Sequence, residues 1–162
     1  MSIADDTFKE LMKRFASGVT LITFENDGNY SGLTVSSFCS LSMNPPLILI
    51  CVDKKIPSHE SLKNSTHFGV NICTSEQGKL AWDFANSSVD KNELILSLNH
   101  NITENKVPLL NDCLASMECI IKETYEGGDH TIFVGQIEGG KFDEESDPLV
   151  YYKSGLGNFT PN

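Results

Sequence analysis

"GLTVSSFCSLSMNPPLILICVDK", Gly32 to Lys54, joins a hydroxyl-rich half to an apolar half across Pro45-Pro46. The apolar run 47–52 is too short for an ordinary helix and is bounded by Pro46 and Asp53, so it reads as a buried strand. The half before it carries Thr34, Ser36, Ser37, Ser40 and Ser42. If residues 33–42 are extended, Thr34, Ser36, Ser40 and Ser42 share one face and Ser37 takes the other. A break or bulge near Ser36-Ser37 would let hydroxyls and backbone N–H groups converge on an anion. Lys54 and Lys55, one strand later, would return positive charge to the same end. A solvated edge strand explains the same pattern more simply, so pattern alone does not establish a site.

Upstream, Thr7 and Glu10 have capping-box spacing. Phe8, Leu11, Met12 and Phe15 recur at i, i+3, i+4 and i+7, which predicts one apolar helical face ending near Gly18. Residues 19–24 are β-branched and aromatic, and Asn26-Asp27-Gly28-Asn29 is turn chemistry that returns the chain as a hairpin into the opening stretch. Downstream, residues 58–65 and 75–86 predict short helices, and residues 68–73 a strand. Residues 87–111 are polar and Asn-rich and read as an excursion or lid. Cys113, Ala115, Met117, Cys119 and Ile121 alternate as in a half-buried strand, and Gly127-Gly128-Asp129 turns into another strand over 131–139. Many strands, hairpin connections and short helices predict a single mainly-β domain over 1–162, a closed or nearly closed antiparallel barrel with helices at its rim.

The 162 residues suffice for a real core, and a formal net charge of −10 argues against nucleic acid or an anionic membrane as a general partner. Met1-Ser2-Ile3-Ala4-Asp5-Asp6 lacks the pattern of a signal peptide, and no apolar run approaches the roughly 20 residues that span a bilayer. The five cysteines are odd in number and none forms a C-x-x-C pair, so reduced thiols and a cytoplasmic location are expected. The four histidines have no ligand-like spacing with the cysteines, so no metal site is expected. There is no G-x-G-x-x-G after a strand, no P-loop and no G-x-S-x-G elbow. Any nucleotide bound here is bound without a Rossmann fold.

The order of "FASGVTLIT" (15–23), the opening stretch and "FGVNIC" (68–73) resembles the flavin reductase-like family, the FMN-binding split barrel. "DFA" (83–85), "GDHTIFVGQI" (128–137) and "PLVYYKSG" (148–155) follow in the family's order, so the similarity covers nearly the whole chain. The resemblance implies a Greek-key split β-barrel, homodimeric, with FMN or FAD in a groove near the dimer interface and NADH or NADPH as hydride donor. It implies flavin contacts by Thr34, Val35, Ser36, Ser37 and Ser40, and by Phe84 and Ala85. It places Asp53, Lys54, Lys55 and Ser58 around the flavin phosphate. His130 matches a catalytic position on the nicotinamide side, and Tyr152 and Gly155 match a segment lining that side. Tyr151 and Tyr152 alternate, so only one of them can face the site, and Tyr152 is the expectation. Related sequences often carry Asn where this chain has Ser36, which removes an amide from the flavin rim.

The implied activity is NAD(P)H-dependent flavin reduction, with reduced flavin passed to a monooxygenase. The cofactors carry the hydride chemistry, so the lack of a protein nucleophile is in keeping with it. A flavoprotein electron carrier that keeps FMN tightly bound and exchanges electrons with a protein partner would use the same residues, as would a flavin-storage module.

Overall fold

The computed structural model describes residues 3–160, so Met1, Ser2, Pro161 and Asn162 lie outside the described residues. The chain runs α1 (Asp5–Met12), β1 (Ser17–Gly18), β2 (Thr20–Asn26), β3 (Asn29–Val35), β4 (Phe38–Met43), β5 (Pro46–Asp53), α2 (His59–Asn64) and β6 (His67–Ile72). A single 3-10 turn (Ser75–Gln77) leads into α3 (Gly78–Ala85) and α4 (Lys91–Ser97). Then come β7 (His100–Ile102), β8 (Pro108–Leu110), β9 (Ala115–Gly127), β10 (His130–Phe142), β11 (Leu149–Tyr152) and β12 (Gly155–Asn158).

Seven strands form one antiparallel sheet in the order β3-β2-β6-β9-β10-β5-β4. The sheet curls until β3 approaches β5, yet no ladder joins its two edge strands, β3 and β4. Only Ser36 and Ser37 lie between those strands in the chain. This is the mainly-β, barrel-like architecture with short helices that the sequence predicts, left open along one seam. The seam runs through the opening stretch.

Hairpin chemistry sets much of the path. Asp27 (φ 51°) and Gly28 (φ 85°) both occupy the left-handed region between β2 and β3, as a tight two-residue hairpin turn requires. Alternation then gives β2 and β3 two covered faces. Ile22, Phe24, Leu33 and Val35 point into the barrel core with Ile48, Ile50, Phe68 and Phe133. Val19 and Leu21 belong to a second core with Ala81, Phe84, Ile95 and Leu149, which holds α3, α4 and β11 against the outside of the barrel. The groove described below lies where that outer layer ends.

Two expectations are corrected. Thr7 does not cap α1: the helix begins at Asp5 with Ala4 at its N-cap, and Asp5 and Asp6 supply negative charge in its first turn. Residues 87–111 are no loose excursion. They contain α4, whose start is capped by the Asp90 carboxylate accepting from the Glu93 N–H at 3.0 Å, and the β7–β8 hairpin. Ile95, Val107 and Leu110 are buried, and the fully buried Asn71 accepts the Leu110 N–H at 2.8 Å while donating to the Leu21 carbonyl at 3.0 Å. The polar composition hid a segment held by side-chain hydrogen bonds.

Candidate functional site

The break at Ser36-Ser37 is real. Both residues are exposed, and the Cys51 N–H of β5 donates to the Ser37 carbonyl at 3.1 Å. Among the described residues, neither Ser36 nor Ser37 donates its backbone N–H to a protein acceptor. The chain cannot continue its ladder here because β3 pairs with β2 through Val35, whereas Phe38 already pairs with Ile50 of β5.

Two hollows adjoin this break. The larger, about 580 Å³, is walled by Ser31, Gly32 and Thr34 of β3, by Lys55 and Ser58 of the β5–α2 turn, and by Phe84, Ala85 and Lys91. The smaller, about 180 Å³, is lined by Val19, Thr34, Ser36, Ala81, Trp82, Ala85, Tyr151 and Leu156. Thr34 and Ala85 border both, so the hollows adjoin across a shared wall and make a two-part groove, cationic and hydroxylated at one end and largely apolar at the other.

Local structure aims these side chains. The Thr34 hydroxyl donates to the Ala81 carbonyl at 2.6 Å, which ties α3 to β3 and leaves the oxygen's lone pairs for a ligand donor. Gly32 admits the Phe84 ring against the strand. The Asp53 carboxylate accepts the Lys55 N–H at 2.8 Å and shapes the turn that presents Lys55 and Ser58. Ser58 stands at the N-cap of α2, yet its hydroxyl makes no capping bond. Lys91 donates to the carbonyls of Asn86 (2.6 Å) and Val89 (3.0 Å), which pins the loop forming the far wall. Partial burial pushes its ammonium pKa down, against the opposing pull of Asp83 and Asp90.

Of the residues expected at the site, the groove brings together Thr34, Ser36, Lys55, Ser58, Phe84 and Ala85. Val35 points into the barrel core instead. Ser37 lies in the break and Ser40 on the exposed β4, and neither lines the groove. Lys54 is engaged elsewhere: it pairs with Glu126 and donates to the Gly128 carbonyl at 2.7 Å, gripping the β9–β10 hairpin. The Glu126 carboxyl is held below its usual pKa by that bond. Asp53 and Lys54 therefore shape the turn but do not line the hollow.

Of the two tyrosines, Tyr151 rather than Tyr152 borders the groove. Alternation along β11 puts Leu149 and Tyr151 on the core side, so Tyr151 lines the smaller hollow while Tyr152 is exposed beneath Lys153 Nζ, 5.2 Å from its ring centre. Gly155 pairs with Tyr152 at the base of the β11–β12 hairpin, outside both hollows. His130 starts β10 opposite Asp53, and its Nδ1 lies 2.8 Å from the Asp129 carboxylate. That contact holds the Asp129 pKa below its ordinary value. Since a carboxylate only accepts, Nδ1 carries the proton, and Nε2 has no protein partner among the described residues. His130 stands at the same end of the barrel as Lys55, through the Lys54 N–H to Asp129 carbonyl bond of 3.0 Å, but does not wall the groove.

Sequence reasoning missed Trp82, Leu156 and Lys91. At helical spacing from Phe84, Trp82 reads as core packing, yet it is 55% exposed and lines the smaller hollow. Lys91 lay inside a segment read as excursion.

A profile for the flavin reductase like domain matches residues 12–160. The chain is 34% identical over 154 residues to the reductase component of 4-nitrophenol 4-monooxygenase/4-nitrocatechol 2-monooxygenase from Rhodococcus opacus, covering 95% of this chain and 80% of that protein. It is 29% identical over 154 residues to an FMN reductase (NADH) from Agrobacterium fabrum, covering 95% and 86%. Among solved structures, the NADH:FAD oxidoreductase of Streptomyces globisporus C-1027, in complex with NAD and FAD fragments, superposes with a TM-score of 0.89 at 30% identity. That match covers 100% of this chain and 99% of the other.

Proposed function

The chain belongs to the flavin reductase like domain family, and from that premise we propose how its groove performs the family's reaction. The protein is an oxidoreductase that uses NADH or NADPH to reduce FMN or FAD. When bound, a flavin supplies the ring atom that accepts hydride and a nicotinamide supplies the hydride; the chain's residues bind, orient and exclude water.

The donor set suits that cofactor. The apolar end, with Val19, Ala81, Trp82 and Leu156, takes a flat ring system. The unpaired N–H group of Ser36, at the rim of the apolar end, is a fixed backbone donor of the kind that stabilises charge developing on a reduced ring without reorganising. Lys55 and Ser58 take the phosphate at the other end, where a charge-assisted hydrogen bond is stronger than a neutral one. His130 and Tyr151 serve the nicotinamide side. Ser36, shorter than an amide, leaves room for water at the flavin rim.

The single observation that carries this reading is the groove's division into an apolar end and a Lys55–Ser58 end, joined at Thr34 beside unpaired backbone donors. Titration of the protein into FMN, with flavin fluorescence as the readout, tests it. Saturable quenching is expected, and its absence with both FMN and FAD would overturn the reading.

The protein is further proposed to act as a homodimer in the cytoplasm and to pass reduced flavin to a monooxygenase; the Rhodococcus relative is named as the reductase component of one. Two exposed apolar surfaces support self-association. Phe8, Leu11, Met12 and Phe15 of the α1 region are all more than half exposed, and Met43 on the edge strand β4 is 95% exposed. All five cysteines are free, as in a reducing compartment. No helix among the described residues is long and apolar enough to cross a membrane. Sedimentation of the purified chain should give twice the monomer mass.

A further inference from the structure

We propose that His59 is a positioning residue for the phosphate end of the groove, fixing the Lys55–Ser58 turn to β10 through Thr131. The inference rests on the assignment of Lys55 and Ser58 to the flavin phosphate.

His59 follows Ser58 directly and is only 2% exposed. Its Nε2 lies 2.8 Å from Thr131 Oγ1 and its Nδ1 3.0 Å from Glu60 Oε1. The Glu60 carboxylate only accepts, so Nδ1 carries the proton, and in the neutral ring Nε2 accepts from the Thr131 hydroxyl. The imidazole also meets Phe133 edge-on, with ring centres 6.0 Å apart. Thr131 and Phe133 are successive inward residues of β10, so one strand face makes both contacts with a single ring. Behind the ring, the His59 N–H donates to the Ile56 carbonyl at 2.9 Å, and the Asp53 carboxylate closes the start of the same turn.

A buried imidazole is a costly choice for packing alone. The other buried residue of α2, Leu62, fills its place with no polar atom to satisfy, whereas a buried polar group left unpartnered is destabilising. A directional bond gives what an apolar side chain cannot: one orientation of the turn relative to β10. That turn carries the free hydroxyl of Ser58 and the ammonium of Lys55. Thr131 is itself adjacent to His130, so the same bond registers the phosphate end of the groove against the strand assigned to the nicotinamide side.

The test compares FMN with riboflavin, which lacks the phosphate, by fluorescence titration of Thr131→Val, His59→Leu and His59→Gln, with Lys55→Ala as reference. Thr131→Val keeps the shape of its site and removes the hydroxyl, so it carries the test even where His59→Leu fails to fold. Thr131→Val is expected to raise the FMN dissociation constant roughly 3- to 10-fold, the scale of one net hydrogen bond, and to leave riboflavin unchanged. His59→Gln, whose amide oxygen can accept from Thr131, should restore most of the discrimination. Equal losses for both flavins, or no change in Thr131→Val while Lys55→Ala weakens FMN alone, would overturn the positioning role and leave the phosphate assignment standing. If the unaltered protein binds both flavins equally and Lys55→Ala changes neither, the phosphate assignment fails and the role of His59 with it.

Discussion

A β-carbon added to Gly32 would stand 2.6 Å from Cε1 of Phe84 and 2.7 Å from the Ile22 carbonyl oxygen. The absent side chain at Gly32 is therefore what lets the buried Phe84 ring close the floor of the groove against β3. Phe84 can tilt, but the Ile22 carbonyl is backbone and cannot. Gly32→Ala should destabilise the protein by about 1–3 kcal/mol, the usual cost of overpacking. It should also weaken flavin binding by moving the wall, and denaturant unfolding with a flavin titration checks both.

Removal of Lys55 or of the Ser58 hydroxyl should separate phosphate from ring recognition. Loss of a hydrogen bond to a charged group is worth about 1.5–3 kcal/mol, so Lys55→Ala should weaken FMN roughly 10- to 100-fold. Ser58→Ala should weaken it less, and neither should alter riboflavin. Lys54→Ala is the control. Its ammonium is committed to Glu126 and the Gly128 carbonyl, so FMN affinity should hold and the β9–β10 hairpin alone should loosen.

Asn71 donates to Leu21 and Thr23 and accepts from Leu110, all in a fully buried setting. Asn71→Leu removes all three bonds, two to backbone and one to the Thr23 hydroxyl, and should cost about 2–4 kcal/mol. Amide exchange should rise first in β8, which would then keep the Thr23 hydroxyl donating to the Pro108 carbonyl at 2.5 Å as its direct hydrogen bond to β2.

Burial pushes the thiols of Cys73 and Cys119 up from 9.0 to about 12. A raised folded-state value means that both states are neutral below pH 9, so the contribution to stability is complete there. Above pH 9 the unfolded thiols ionise first, and stability is lost as the pH climbs toward 12. Urea midpoints should fall across that window, by up to roughly 1.4 kcal/mol per pH unit for each thiol. Cys119→Ala should make the fall shallower. At neutral pH a thiol reagent should modify the exposed Cys39 at once and the buried Cys73 and Cys119 only on unfolding.

The barrel was legible because its signals are local: period-two alternation, the Asn26–Asn29 turn, the Gly127–Asp129 turn and the apolar run after Pro46. The groove was legible in part. The break at Ser36-Ser37 could be foreseen because alternation alone could not bring Ser37 into phase with its neighbours. What stayed hidden depends on partners distant in sequence. Lys54 and Lys55 look alike until the hairpin tip at Glu126 and Gly128 claims one of them. Tyr151 and Tyr152 are equivalent until pairing with β1 and β12 fixes the face of β11. The helical face of Phe8, Leu11, Met12 and Phe15 was plain, but nothing in its period says that this chain leaves it uncovered. Residues 87–111 hid their order because Asn71, Asp90 and Asn92 hold them by hydrogen bonds that no hydrophobic pattern records.

The most direct test is the oxidation of NADH and of NADPH by the purified protein with and without added FMN or FAD. Oxidation should be slow alone, rise with added flavin and saturate, and Thr34→Val and Lys55→Ala should shift the flavin concentration needed. No flavin-dependent oxidation with either nucleotide and either flavin would contradict the account.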